Sequence, residues 1–149
     1  MFPYMKVFFS LLLACTLAAC AYPISKQFRE EARKDATFPA VFQNPSAYSG
    51  SVVIWGGEII EVTNTREGTE MIMLETPLNY TEEPRGPRYS QGRFIARTNE
   101  FLDPSVYKAG RKVTLAGQVV GEETRRVGQA DYRYPVIRML QVVLWTERS

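Results

Sequence analysis

The residue types able to carry acid–base or nucleophilic chemistry are limited in this chain, because its 149 residues include no histidine. Without histidine, Ser-His-Asp and Cys-His catalysis, imidazole general bases and histidine metal ligands are all excluded. Paired carboxylates of the glycosidase type remain. The candidates are Glu58, Glu61, Glu75, Glu122, Glu123 and Asp131. Glu58 and Glu61 stand three residues apart in a predicted strand, which puts them on opposite faces, so hydrolysis is only a remote alternative.

Short motifs that bind cofactors or ions are also missing from the sequence. It contains no Gly-rich phosphate loop, no EF-hand pattern and no Cys-x-x-Cys pair, so we expect no cofactor and no metal. The balance of 18 Lys+Arg against 16 Asp+Glu leaves a net charge of +2. Phosphate binding requires a clustered surplus of basic residues, and we therefore expect no nucleic-acid partner.

The first nineteen residues have the composition of a secretory signal peptide. Lys6 is their only charged residue, and residues 7–19 are nearly all apolar. Thirteen residues are too few for a transmembrane helix, which needs about 20. A cationic start, a short apolar centre and small residues before a processing point instead predict a segment, residues 1–19, that is removed on secretion.

The end of that segment carries the most specific chemistry of the sequence. Leu17-Ala18-Ala19-Cys20 resembles the bacterial lipobox, in which the cysteine thiol receives a diacylglycerol and the new amino terminus is acylated after cleavage. Two or more acyl chains anchor a protein stably, so the predicted partner of Cys20 is the lipid bilayer. Cys15 would leave with the signal peptide. An Asp directly after the lipidated cysteine resembles a signal for retention in the inner membrane, but position 21 here is Ala. Ala21 therefore indicates the outer membrane, with the protein facing the periplasm.

A long loop, residues 77–91, combines cationic and aromatic side chains that are able to hold an anionic sugar or phosphate. Loops of this length in a small domain are often functional. An ordinary solvated loop is the alternative. The candidate ligand-binding residues are Arg85, Arg88, Tyr80 and Tyr89, with Arg93 just beyond the loop.

The elements that must position these residues are predicted to be strands. Alternating or continuous apolar runs bounded by turn residues predict five strands, at residues 51–62, 69–76, 92–98, 112–120 and 132–145. Gly56-Gly57 is the expected place for a bulge or sharp coil. Polar residues 122–131 are predicted to form a loop.

One short helix is predicted between the third and fourth strands. Asp103-Pro104 pairs an N-cap residue with proline at the first helical position, and Gly110 is a suitable end. In this interpretation Asp103 is a cap rather than a ligand, and Phe101 and Leu102 close one end of the fold.

The predicted fold class is therefore all-β, a small five-stranded OB-like β-barrel with one short helix. A different five-stranded barrel or a sandwich is the alternative. We predict a barrel domain at residues 51–149, whose binding face would be strands two and three. Residues 20–50 contain three prolines and a charged stretch, Lys26 to Asp35, able to form a helix of two to three turns. We interpret this segment as the lipidated cysteine followed by a tether.

The lipobox and a set of ordered motifs resemble the Slp family of Gram-negative outer-membrane lipoproteins, which is named for induction on carbon starvation. The resemblance extends from about Gln43 to Trp145. It implies no enzymatic activity. The motifs are Tyr48-Ser49-Gly50, Gly56-Gly57-Glu58-Ile59-Ile60, Pro77-Leu78, Gly92-Arg93-Phe94-Ile95-Ala96-Arg97, Phe101-Leu102-Asp103-Pro104 with Tyr107, Val113-Thr114-Leu115-Ala116-Gly117 and Gly121-Glu122.

The sequence thus leads us to expect a non-catalytic outer-membrane lipoprotein, a binding or scaffold module whose partner is an unknown envelope protein or glycan. The alternative is a groove-type binder of a glycan, peptide or anionic envelope ligand through the loop from Tyr80 to Arg93.

We predict that the mature protein begins at Cys20 and carries lipid on that residue. Mass spectrometry of protein purified from membranes should show an acylated amino-terminal cysteine. A Cys20→Ala variant should remain unprocessed. A mature chain that starts at another residue, or a Cys20→Ala variant that is still processed and membrane-bound, would contradict this prediction.

Overall fold

The computed structural model describes residues 22–147, which form two short helices and five strands. The helices are α1 (Lys26–Glu31) and α2 (Phe38–Gln43), and short 3-10 helices lie at Pro45–Tyr48 and Pro87–Tyr89. The strands are β1 (Val52–Thr65), β2 (Gly68–Glu75), β3 (Gly92–Thr98), β4 (Lys112–Val127) and β5 (Ala130–Leu144).

The five strands close into a ring in the order β1-β2-β3-β5-β4 and back to β1. All neighbours are antiparallel except β3 and β5, which are parallel. This arrangement confirms the predicted all-β, OB-like fold. Closure leaves no unpaired strand edge in the ring, which removes the usual liability of a small sheet.

Strand β1 belongs to both halves of the barrel, and glycine makes this possible. Its first half pairs with β4 and its second half with β2, and the two pairings overlap at Gly57. A Cβ atom on Gly57 would lie 1.8 Å from the carbonyl oxygen of Leu74, so only glycine permits this approach. The register irregularity itself falls between Ile59 and Glu61, two residues after the predicted site.

The interior is filled by inward-facing residues from all five strands, which alternate along each strand with outward-facing residues. Strand β2 shows the pattern most clearly, because its residues alternate between buried and half-buried along the whole strand. Burial of these apolar side chains supplies the main driving force for folding. The strand residues of the core are Val53, Trp55, Ile59, Met71, Met73, Phe94, Ala96, Val113, Leu115, Val119, Ile137 and Met139.

The segment before β1 packs on the barrel, so the prediction of a tether is wrong for residues 24–50. Phe38 and Val41 of α2 are buried members of the barrel core. The Phe38 ring lies 5.4 Å from Trp55, edge to face, and 6.4 Å from Phe94. Helix α2 therefore plugs one end of the barrel.

The prolines that suggested a tether have local structural roles instead. Pro39 occupies the first turn of α2, where proline is tolerated, and the Thr37 hydroxyl accepts the Ala40 N–H at 3.3 Å as an N-cap. Pro45 begins a 3-10 helix. The charged stretch contains only the six-residue α1, shorter than predicted, and none of its residues is buried.

The predicted helix at residues 103–110 is a series of turns, and this prediction is wrong. The Asp103 carboxylate accepts hydrogen bonds from the Ser105 N–H at 2.9 Å and hydroxyl at 2.7 Å. This capping chemistry supports one turn only, closed by the Tyr107 N–H on the Asp103 carbonyl at 2.8 Å. Leu102 packs on the core, but Phe101 is 71% exposed.

We predict that Phe38→Ala lowers the free energy of unfolding by about 3–5 kcal/mol, because it empties the centre of an aromatic cluster. Chemical denaturation followed by circular dichroism measures this change. The matched control is Phe101→Ala, which should shift stability by no more than about 0.5 kcal/mol since that ring is exposed. Equal effects of the two substitutions would contradict the role assigned to α2.

Candidate functional site

The outer face of β2 and β3, the predicted binding face, is covered by the chain itself. Residues 121–127 and 130–136 continue β4 and β5 as a paired hairpin, although the sequence predicted a loop at residues 122–131. Ile95 of β3 is fully buried beneath Tyr134 and Val136 of this hairpin, and Ile72 of β2 packs against them. Alternating charged residues had suggested a solvated loop, but they form one face of a long hairpin.

Four charged side chains form a network of ion pairs between this hairpin and strands β2 and β3. Arg125 reaches Glu70 of β2 at 3.0 Å and Glu123 at 2.8 Å, and Arg97 of β3 donates to Glu70 at 2.9 Å and also to Glu123. Hydrogen bonds from Arg125, the larger effect, and from Arg97 lower the pKa of Glu70. Two cations and two anions satisfy one another, so neither guanidinium is available for a ligand.

The loop of residues 77–91 brings three of the five predicted ligand-binding residues together. The guanidinium carbon of Arg85 lies 4.4 Å from the centroid of the Tyr89 ring, and that of Arg88 lies 4.8 Å from it. Arg88 also donates to the Tyr89 hydroxyl at 2.7 Å. Cation–π contacts of this kind at exposed sites stabilise by about 0.5–1 kcal/mol. The loop therefore presents two oriented guanidinium groups on one aromatic ring.

The other two predicted residues are not part of this stack. Tyr80 is 90% exposed and lies in a turn in which the Asn79 carboxamide oxygen accepts the N–H groups of Thr81 and Glu83. Arg93 lies on β3, opposite Leu74. Cys20 lies outside the described residues.

A cavity of about 400 Å³ between the 29–38 segment and the start of the loop is the site that sequence analysis missed. Glu75, the last residue of β2, is only 5% exposed there. Among residues 22–147, its carboxylate accepts one hydrogen bond, from the Gln91 N–H at 3.3 Å. The lining residues are Arg29, Ala32, Arg33, Lys34, Ala36, Thr37, Phe38, Ile54, Trp55, Glu75, Thr76, Pro77, Leu78 and Gln91.

Two buried polar groups of this cavity have unused hydrogen-bonding capacity. Burial raises the pKa of Glu75 to about 7. The neighbouring Thr76 is 1% exposed, and its hydroxyl has no hydrogen-bond partner within residues 22–147. Such groups are rare in folded proteins and call for an explanation. The sequence did contain a signal, because Glu75 shares the inward parity of Met71 and Met73.

The structure changes the placement of two candidate carboxylates, Glu58 and Glu61. The register slip in β1 leaves both Ile59 and Val62 on the core, so Glu58 and Glu61 both lie on the outer side of β1, which corrects their predicted placement on opposite faces. Within residues 22–147 no group of three or more Asp, Glu or Cys side chains is positioned to hold a metal ion. No helix in the same range has the length and apolar character needed to cross a membrane.

The described residues form a small OB-like barrel with one face covered by a hairpin, which defines the class of small closed β-barrel domains. The model of the family described as "Outer membrane lipoprotein Slp family" matches residues 17–149. The chain belongs to this family. The resemblance noted in the sequence is thereby confirmed, and the protein is an outer-membrane lipoprotein.

Three curated relatives are similar over much of the chain. Outer membrane protein Slp of Escherichia coli K12 is 29% identical over 93% of this chain and 74% of its own. An uncharacterized protein of Haemophilus influenzae is 35% identical over 61% of this chain and 50% of its own. The uncharacterized lipoprotein YeaY of Escherichia coli K12 is 29% identical over 70% of this chain and 54% of its own. The chain therefore spans about half the length of two of these relatives.

We predict that Glu75 makes the folded protein less stable as pH rises. Between pH 4.5, its ordinary pKa, and about 7 the folded state holds a proton at Glu75 that the unfolded state has released, so the free energy of unfolding falls through this window. Glu75→Gln removes this dependence. Relative to the parent protein, the variant should gain about 2–3 kcal/mol between pH 4.5 and about pH 8.

Urea unfolding of parent and variant at several pH values measures the difference. Glu122→Gln, in the exposed part of the hairpin, is the matched control and should follow the parent at every pH. A constant difference between Glu75→Gln and the parent would show that the buried carboxyl is not the source of the dependence.

Proposed function

We propose that the protein is a non-catalytic scaffold module of the cell envelope, held with one face against the inner leaflet of the outer membrane while its barrel faces the periplasm. The observation that carries this proposal is the position of residues 23–25. They follow the predicted lipid anchor closely in sequence and are bound to the barrel.

A clamp defined by Pro23, Ser25 and Gln141 fixes the chain to β5. The Gln141 amide donates to the Pro23 carbonyl at 3.2 Å, and its oxygen accepts the Ser25 N–H at 2.8 Å. Ile24 between them is fully buried. Pro23 is the third residue after Cys20, and three steps of about 3.5 Å reach at most roughly 10 Å. A lipid on Cys20 therefore holds the barrel close to the bilayer.

The surface beside this clamp has the side chains of a membrane interface. Arg29 lies 4.3 Å from the centroid of the exposed Tyr22 ring and forms an ion pair with Glu82. That pair places Tyr22 beside the turn that carries Tyr80. Tyrosine is enriched at membrane–water interfaces, where its apolar ring and polar hydroxyl are both accommodated.

A scaffold role is favoured over groove recognition because the OB binding face is occupied. Hairpin residues Tyr134 and Val136 cover Ile95 of β3, and the arginines beside them are already paired. The alternative, recognition of a glycan, peptide or anionic envelope ligand through the 77–91 loop, is supported by the two guanidinium groups stacked on Tyr89. The partner on either account is an envelope protein or glycan.

Photo-crosslinking in cells tests the proposed orientation. We predict that benzoylphenylalanine in place of Tyr80 forms adducts with phospholipid, because this position faces the headgroup layer. The matched control is the hairpin turn at Gln129, which strand β5 carries about 35 Å from Gln141, and it should form none. Equal lipid labelling at both positions, or none at Tyr80, would contradict a fixed membrane-facing surface.

The same crosslinking method, applied at two other positions, tests the scaffold role. Phe101 is exposed, and its loop follows β3, whereas the loop of Tyr80 precedes β3. With the crosslinker in place of Phe101, we expect an adduct with one discrete envelope protein. An adduct at Tyr89 of glycan or peptide mass that disappears with Arg85→Ala and Arg88→Ala would instead favour the ligand-binding alternative. Absence of any adduct at both positions would contradict a binding or scaffold role.

A further inference from the structure

We infer that the cavity beside Glu75 is a binding site for a small zwitterion that carries a primary ammonium group. This site is distinct from the arginine–tyrosine stack, and Arg29 at its mouth also belongs to the proposed membrane-facing surface. It lies between the chain segment that enters the barrel domain and the start of the 77–91 loop. Neither the scaffold role nor the arginine–tyrosine stack involves its two buried polar residues, Glu75 and Thr76.

The inner end of the cavity lacks a donor. Glu75 and Thr76 are each more than nine-tenths buried, and within the described chain no cationic side chain stands within ion-pair distance of the Glu75 carboxylate. Its one hydrogen bond, from the Gln91 N–H, leaves most of its acceptor capacity unused. A buried carboxylate without a counter-ion is costly, and a ligand ammonium supplies both the positive charge and three N–H donors.

The mouth of the cavity has the opposite charge. Arg29, Arg33 and Lys34 line it, but the two arginines are occupied by Glu82 and Asp35. Lys34 forms no ion pair among residues 22–147 and is exposed. A ligand with a single positive charge would be repelled at this mouth, whereas an anionic group next to the ammonium would be attracted. An acidic group at the inner end of the cavity and basic groups at its mouth therefore favour a zwitterion over a ligand with a single positive charge.

The walls between these two ends are apolar. Phe38 and Trp55 form one side, and Pro77 and Leu78 lie at the base of the loop. A volume of about 400 Å³ is at the small end of ligand sites. A phosphoethanolamine group and a short peptide both combine an ammonium with an anion at this size. They represent a phospholipid headgroup and a soluble envelope component, respectively.

Isothermal titration calorimetry on the full protein in detergent tests the site with defined probes. The probes are O-phosphoethanolamine and dialanine, with phosphocholine as the matched probe because its quaternary ammonium has no N–H donor. We expect saturable binding of at least one of the first two and about tenfold weaker binding of phosphocholine. Preference for phosphoethanolamine indicates the headgroup source, and preference for dialanine indicates the soluble one.

Two substitutions localise the binding. Glu75→Gln keeps the shape of the side chain and should weaken binding about tenfold or more, whereas Glu122→Gln on the hairpin should leave it unchanged. Denaturation curves establish that both variants are folded. Unchanged affinity in Glu75→Gln, equal affinity for phosphocholine, or no saturable binding of either zwitterion at millimolar concentration would each overturn the assignment.

Discussion

The aromatic contact among Phe38, Trp55 and Phe94 is the interaction on which the rest of the structure depends. A five-stranded ring encloses a core that needs a plug at its end, and Phe38 supplies it from outside the strand sequence. Docking of α2 brings the preceding residues back along β1 and β5. The clamp at Gln141 and one wall of the Glu75 cavity both follow from that packing.

The buried and half-buried charged groups of this barrel are of two kinds, those that form ion pairs and one that does not among the described residues. On the outer face, Glu70, Arg97, Glu123 and Arg125 neutralise one another and hold the β4–β5 hairpin over β3. At the barrel end, Glu75 is buried with no cationic partner among residues 22–147. A paired network contributes to folding and leaves no charge for a ligand, whereas an unpaired buried acid weakens folding and leaves its charge available to a ligand.

Membership of the Slp family and the geometry of the chain point to the same kind of protein. The family defines an outer-membrane lipoprotein, and the clamp at Pro23 and Ser25 explains how such an anchor would set the orientation of a rigid barrel. Covering of the OB face explains why a fold known for groove recognition would serve here through its loops and exposed surfaces instead.

Much of the fold followed from local pattern alone. Four of the five strands were predicted to within three residues at both ends, and the all-β class was confirmed, because alternation and turn residues are properties of short windows. The OB-like topology also followed from strand count and glycine placement. The lipobox at Cys20 is likewise a local motif, and it stays a prediction because it lies outside the described residues.

The failures share one cause, which is that burial depends on partners distant in sequence. Residues 24–50 looked like a tether because their prolines and charges are surface-like, and only the open barrel end made Phe38 a core residue. The polar run 122–131 became a hairpin because Glu70 and Arg97 lay opposite it. The solvation of Glu75 was decided by α2 and the 77–91 loop together. The sequence by itself determined the anchor motif, the absence of histidine chemistry and the strand pattern. The tertiary structure decided which charges are paired and which acid is buried, because both depend on the sum of long-range contacts.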